Sequence, residues 1–415
     1  MKIHGQNLSA ILLRLPWQYQ LLTGVGAAFI LLTAVHVASV LRTVKDKAFA
    51  PVTKPVTFYF SDRPKGVLDP SLAARPHGLT AWMAFTAQDE QGGTGATMNV
   101  RLAAAQVTSR GCAWWSEQPH AGLTGKTDKL LAPDGQTVIA KGAWRVETPS
   151  LVYDPDDKGK EWKLFAFKYF WADDPQHRLA IVQHYGVIAY SAAPAPDKDW
   201  STEEWLFAAK KNYPPAPYDQ LVLLDLDRLS PQLQDVVMYA RPSAIYQDGV
   251  LALALSAFRE GETEPDRVIL IVSRDNGNSW LYAGTLLDKK GLSAFDAKGR
   301  PPYTRIFGAT LLQQDGQVYL AAALGTAARR GAGTLIFAVD DLASGKLRAD
   351  PKTGAPEILR RVPLPVAGAG PVGGGTAAYT DACPRTGLVI SEQEGASSYF
   401  KIYQTGIPPA GLSPP

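Results

Sequence analysis

The chain has 415 residues, enough for one large or two to three modest domains, and carries 42 Lys and Arg against 39 Asp and Glu, a net charge of +3. That balance lacks the basic stripe of a nucleic-acid binder and excludes nucleic acid as an expected partner. Glycine (37) and proline (31) break the chain often, while ten Trp, sixteen Tyr and fourteen Phe supply packing mass that disordered chains lack, so the composition predicts a folded, turn-rich, mainly β protein.

Leu15 to Leu41 contains no Lys, Arg, Asp or Glu, and Leu21 to Leu41 gives 21 consecutive, mostly apolar residues. At about 1.5 Å per residue such a helix crosses a bilayer core of about 30 Å. Arg14 and Arg42 bracket it, and Trp17 and Tyr19 stand at interfacial depth. His36 reads as a neutral histidine near one interface, because a proton relay recruits partner ionisable groups. Ala48-Phe49-Ala50 has the small-x-small form of a signal peptidase site, but Pro51 directly after it argues against cleavage. The expectation is therefore an uncleaved single-pass transmembrane anchor over 21–41, preceded by a tail over 1–20 and followed by a linker over 42–54. Lys2 and Arg14 lie before the span and Arg42, Lys45, Lys47 and Lys54 after it, a count that by itself favours a cytoplasmic main domain.

Beyond the linker, five segments share one form: an entry with proline or small residues, an apolar strand, a turn and a second apolar strand. The entries are Asp69-Pro70-Ser71-Leu72, Thr148-Pro149-Ser150-Leu151, Arg241-Pro242-Ser243-Ala244, Gly308-Ala309-Thr310 and Gly375-Thr376-Ala377. Each unit continues into a further apolar strand, which makes it a small antiparallel sheet of three or four strands. Such a sheet is apolar on both faces, and stacking the units around an axis buries them. The predicted fold class is all-β, a five-bladed β-propeller over 55–406 with a C-terminal tail over 407–415. The last unit has only three strands, and the orphan strand Val56 to Ser61 is predicted to close the ring from the N-terminus, removing an exposed edge. In that layout the first and last blades touch, and Cys112 and Cys383 fall in turns on the same face. One disulfide or two buried thiols are both compatible with the sequence.

Ser273-Arg274-Asp275-Asn276-Gly277-Asn278-Ser279-Trp280 resembles the Asp-box of sialidase-like and other glycan-active propellers, S-x-D-x-G-x-x-W. Such a box sits on an outer turn and marks fold more than chemistry. Asp69-Pro70-Ser71 opening the first unit resembles the start of the five-bladed propellers of the arabinanase, β-xylosidase and invertase group, over a repeat layout from about Val56 to Thr405. The resemblance implies a carbohydrate ligand and Asp69 as base or nucleophile. Where those enzymes open the third blade with a general-acid Glu near its proline, this chain has Tyr239-Ala240-Arg241-Pro242, and the second Asp of the pattern is Ser150. Glu147, two residues before Pro149, is the nearest substitute and the candidate acid. Paired carboxylates perform glycoside chemistry when one is kept protonated and the other ionised, about 5.5 Å apart for retention or about 6.5 to 9.5 Å for inversion.

Arg145, Arg241 and Arg305 precede the inner strands of units two, three and four and are candidate guanidinium forks for an anionic or polar sugar. Trp144, Tyr169, Trp171 and His177 are candidate stacking aromatics at the mouth. No cofactor or metal is implied: the six His have no ligand spacing, Asp154 to Gly159 lacks the register of a calcium loop and reads as a hairpin turn, and Gly368 to Gly373 fits G-x-G-x-x-G but runs into a strand. Glycan-active propellers act outside the cytoplasm, so the resemblance predicts a periplasmic or extracellular propeller despite the Lys and Arg count. The expected function is a membrane-anchored propeller recognising carbohydrate, as a glycoside hydrolase-like enzyme or as a non-catalytic glycan-binding or protein-interaction module.

Overall fold

Five inner strands, Gly66–Ala74, Val138–Tyr153, Val236–Gln247, Arg305–Gln314 and Gly374–Ala378, each belong to one mainly antiparallel sheet in this computed structural model, and in the second sheet Lys126–Leu131 pairs on the far side of the inner strand. Each inner strand packs against the next, and the fifth packs against the first, so the sheets form a closed ring of five blades. The structure describes residues 53–411 apart from 92–94, 110, 119–122, 133, 174–184, 214–217, 297–299, 366–369, 371, 396 and 398. The main cores lie between successive sheets: Ala84, Leu102 and Leu151 between blades one and two, Phe165, Tyr239 and Leu253 between two and three, and Leu270, Ile306 and Leu320 between three and four. Burial on both faces of each sheet is what the double-sided apolar pattern demands.

Every inner strand carries a β-bulge at its repeated entry: between Leu68 and Ser71, Glu147 and Ser150, Ala240 and Ser243, Ile306 and Gly308, and Gly374 and Ala377. In three of them the residue before proline adopts a left-handed backbone, with φ of 50° at Asp69, 51° at Thr148 and 52° at Arg241. Non-glycine residues rarely pay for that conformation unless their surroundings fix it. Just beyond the bulge, a hydroxyl links each blade to the next. Ser71 Oγ accepts from the Leu151 amide at 2.9 Å, Ser150 Oγ from Ala244 at 2.7 Å, and Ser243 Oγ from Leu311 at 2.8 Å. Thr310 Oγ1 continues the series by donating to the Ala377 carbonyl at 2.6 Å.

The ring closes differently from expectation. The single orphan strand is divided between two blades. Lys54–Pro55 completes blade five by pairing antiparallel with Phe400–Gln404, and Thr57–Tyr59 runs parallel to Trp114–Gln118 as the outer edge of blade one. Val56 donates its amide to the Ile402 carbonyl at 2.8 Å as the chain crosses from one to the other. Cys112 and Cys383 form a disulfide across the same seam, with Cα atoms 5.5 Å apart.

Gly373 packs backbone against backbone between blades four and five. Gly373 has a φ of 73°, and a Cβ there would lie 1.8 Å from the Gly331 carbonyl oxygen. At Ser273 to Trp280 the chain turns tightly: Ser273 Oγ accepts from the Gly277 amide, Asp275 accepts from Ser279, and Trp280 Nε1 donates back to the Gly277 carbonyl. Asp154, in the predicted hairpin turn, is fully buried against Lys163 at 3.3 Å.

The single-pass membrane localisation requires correction. Among the described residues no helix is long and apolar enough to cross a membrane. The helices among the described residues are 3₁₀ turns of three to seven residues, whereas a span needs about 20. The predicted anchor over 21–41 lies outside the described residues. The structure supports neither membrane anchoring nor the periplasmic or extracellular placement expected from the resemblance.

Candidate ligand site at the head of the inner strands

Strand alternation in blade two brings most of the site together. Arg145 pairs directly with Tyr169, Glu147 with Phe167, and Trp171 stands diagonal to Arg145, so these side chains share one face of the sheet. The Arg145 guanidinium lies 4.1 Å above the Trp171 ring, and Tyr169 donates its hydroxyl to Glu147 Oε2 at 3.4 Å. Trp144 is one residue out of phase and faces the other way. It is buried in a cluster with Phe170, Trp205 and Tyr218 and is not brought to the site.

The bulges of blades one and three supply the rest. Asp69 is buried on the first inner strand and accepts a hydrogen bond from Thr376 Oγ1 at 3.1 Å, and Thr376 in turn is bonded to Ser391. Arg241 on the third inner strand places its guanidinium 4.4 Å over the Phe307 ring. Arg305 stands apart, half-exposed and 3.9 Å from Glu264, which also pairs with Arg330. His177 lies outside the described residues.

Charge couples the four ionisable side chains. Burial pushes the Asp69 carboxyl above the usual range, opposed by the Arg241 charge and the Thr376 hydrogen bond. Glu147 is pushed up to about 7, first by burial and then by the Asp69 charge, against the pull of Arg241, Arg145 and the Tyr169 hydroxyl. Tyr169 is raised as well, by burial and by Glu147. A carboxyl half-protonated at neutral pH beside another carboxyl is the electrostatic condition for proton donation.

A central cavity of about 590 Å³ lies downstream of the bulges, lined by Ser71, Tyr153, Ser243, Tyr246 and Tyr379 among others, and none of Asp69, Glu147, Arg145 or Arg241 lines it. Among the described residues no group of His, Cys, Asp and Glu is arranged to hold a metal ion.

Thr376, Thr148 and Phe307 escape a search by residue type. Thr376 was legible only through position, since Gly375-Thr376 occupies in blade five the bulge that Asp69-Pro70 occupies in blade one.

No family model matches the chain, and no curated protein matches it. Its fold is similar to that of solved propeller structures. The catalytic domain of the Coprinopsis cinerea GH62 α-L-arabinofuranosidase is 13% identical, over 86% of this chain and 97% of that one, with a TM-score of 0.44. A glycosyl hydrolase from Bacteroides ovatus is 10% identical over 81% and 83% with a TM-score of 0.44, and Trypanosoma rangeli sialidase is 11% identical over 85% and 59% with a TM-score of 0.42. At these identities and TM-scores the matches carry no argument about this chain, whose five-bladed ring rests on its own sheets and their contacts.

Proposed function

We propose that this propeller binds a carbohydrate at the head of its inner strands and acts on it as a glycoside hydrolase-like enzyme, with Glu147 as proton donor and Asp69 as base. The observation that carries this reading is the shared environment of the two carboxyls: Asp69 raises Glu147, and Arg241 acts on both. Trp171, partly exposed beside Arg145, offers a ring for sugar stacking. Tyr169 holds Glu147 by its hydroxyl, and Thr376 holds Asp69, so both acids are oriented before any ligand arrives.

A second reading draws on Arg241, a guanidinium at the bulge of blade three where the resembled enzymes use a carboxylic acid. On that reading the same site binds glycan without cleaving it, and the propeller serves as a binding or protein-interaction module.

Full-length protein, presented with a panel of neutral and acidic oligosaccharides, separates the two. Turnover that falls by about 10²- to 10⁴-fold in both Asp69→Asn and Glu147→Gln supports the hydrolase. Binding without turnover, persisting in both variants, supports the module. The absence of both binding and turnover defeats the carbohydrate reading.

A further inference from the structure

Three polar atoms around the two carboxyls are buried without a hydrogen-bond partner among the described residues: Arg145 Nε, Arg241 Nη1 and Thr148 Oγ1. Arg145 and Thr148 are only 7% and 6% exposed, so bulk water does not satisfy them. A buried donor left unmade costs about 1–3 kcal/mol, more when charged, and three around one acid pair call for an explanation in function. All three are able to donate. The site therefore lacks acceptors.

The arginines are also held in place. Each guanidinium lies over a ring, Arg145 4.1 Å from the Trp171 centroid and Arg241 4.4 Å from that of Phe307, while Arg145 Nε and Arg241 Nη1 remain unpaired among the described residues. The Arg241 and Thr148 backbones are fixed in left-handed conformations at equivalent bulges of adjacent blades. Left-handed backbone at neighbouring bulges, guanidiniums held over rings and orphaned donors coincide at one place.

We infer that the carbohydrate bound beside Asp69 and Glu147 is an acidic sugar, whose carboxylate or sulfate group accepts the free N–H groups of Arg145 and Arg241 and the Thr148 hydroxyl. This inference rests on the carbohydrate reading above and names its substrate class. The charge balance is compatible with it. Two guanidiniums face two carboxyls that burial raises, so the site carries less negative charge than two fully ionised acids would give it.

Titration calorimetry of the full-length protein tests it with matched pairs: an oligouronate against its carboxyl-reduced counterpart, a sulfated oligosaccharide against its desulfated one, and citrate as an acid that is not a sugar. The expected result is tenfold or tighter binding of the acidic member of one pair. That advantage is lost in Arg145→Gln and Arg241→Gln, reduced in Arg145→Lys and Arg241→Lys, and retained in Arg348→Gln, which alters an outer-blade ion pair. The lysine variants keep the charge and lose the fork, so a folding defect in a glutamine variant does not blunt the test. Which pair shows the advantage identifies the acid group. Equal binding of acidic and neutral members overturns the inference and leaves the carbohydrate reading standing, as does a preference that survives all four arginine variants. Citrate binding that depends on both arginines, without binding of any oligosaccharide, keeps the acid assignment and removes the sugar. If no ligand binds, both fall.

Discussion

Glu147 meets burial, a neighbouring carboxyl and two guanidiniums at one position, and the balance leaves it titrating at about 7 against an ordinary 4.5. Its folded state therefore holds a proton that the unfolded state has released over that interval. Between those values the native protein binds more protons than the unfolded chain, so this residue's contribution to stability is complete below about pH 4.5, falls as pH rises and is lost above about 7. A displacement of that size corresponds to about 3 kcal/mol. Glu147→Gln removes the titration, and urea melts should show the variant gaining on the parent as pH rises from 4.5 to 8, with no further change above that. A stability difference that stays flat across this range would show that Glu147 ionises normally. The same residue shows what the sequence could and could not reveal. That Asp69, Glu147, Arg145 and Arg241 lie near one another was legible because they stand at the repeated strand entries, whereas Trp144, one position from Arg145, faces away from them. Alternation puts neighbours on opposite faces, and only the pairing register of Arg145 with Tyr169 tells which face is which.

At the scale of the strand, the repeated Pro-Ser entry has a mechanical meaning. The bulge kinks each inner strand, and the hydroxyl just past it reaches the amide of the next blade, so the repeat is written as a circumferential chain of hydrogen bonds. The bonded amides of Ala244 and Leu311 belong to buried residues. Ser150→Ala and Ser243→Ala should each cost about 1–3 kcal/mol in urea unfolding, far more than a surface Ser→Ala change, because each strands a buried N–H. Loss of less than about 0.5 kcal/mol in both would mean that the blades are held by apolar packing alone. The entries were visible as a repeat because three of them preserve Pro-Ser. Their bulges were not visible, since a one-residue register shift leaves the apolar pattern on either side unbroken.

The whole molecule depends on one seam. Four of the five blade contacts join neighbours in sequence, but blade five meets blade one only because the two ends of the domain return to each other. The strand that completes blade five, Lys54–Pro55, is two residues long and exposed. The need for an N-terminal contribution was legible from a blade one strand short. The division of that segment between two blades was not, because neither half is long enough to carry its own pattern. With so little sheet across the seam, side chains and the disulfide hold it: Cys112 donates its amide to Thr386 Oγ1 at 3.0 Å, Phe400 donates to Gln88 Oε1 at 3.2 Å, and Cys112 is bonded to Cys383 from 271 residues away. Cross-linking residues so far apart removes much of the freedom of the unfolded chain, an entropic stabilisation of about 6 kcal/mol on the loop-closure estimate. Cys112→Ser with Cys383→Ser should therefore lower unfolding stability by about 2–5 kcal/mol, and reductant should bring the parent protein to the same value while leaving the double variant unchanged. Protease digestion of the reduced protein should start near the seam, at Lys54 or Arg385, before the blade interiors are cut. If reduction changes neither stability nor the first cleavage site, the short strand and the blade-one packing suffice to close the ring, and the disulfide is not its latch.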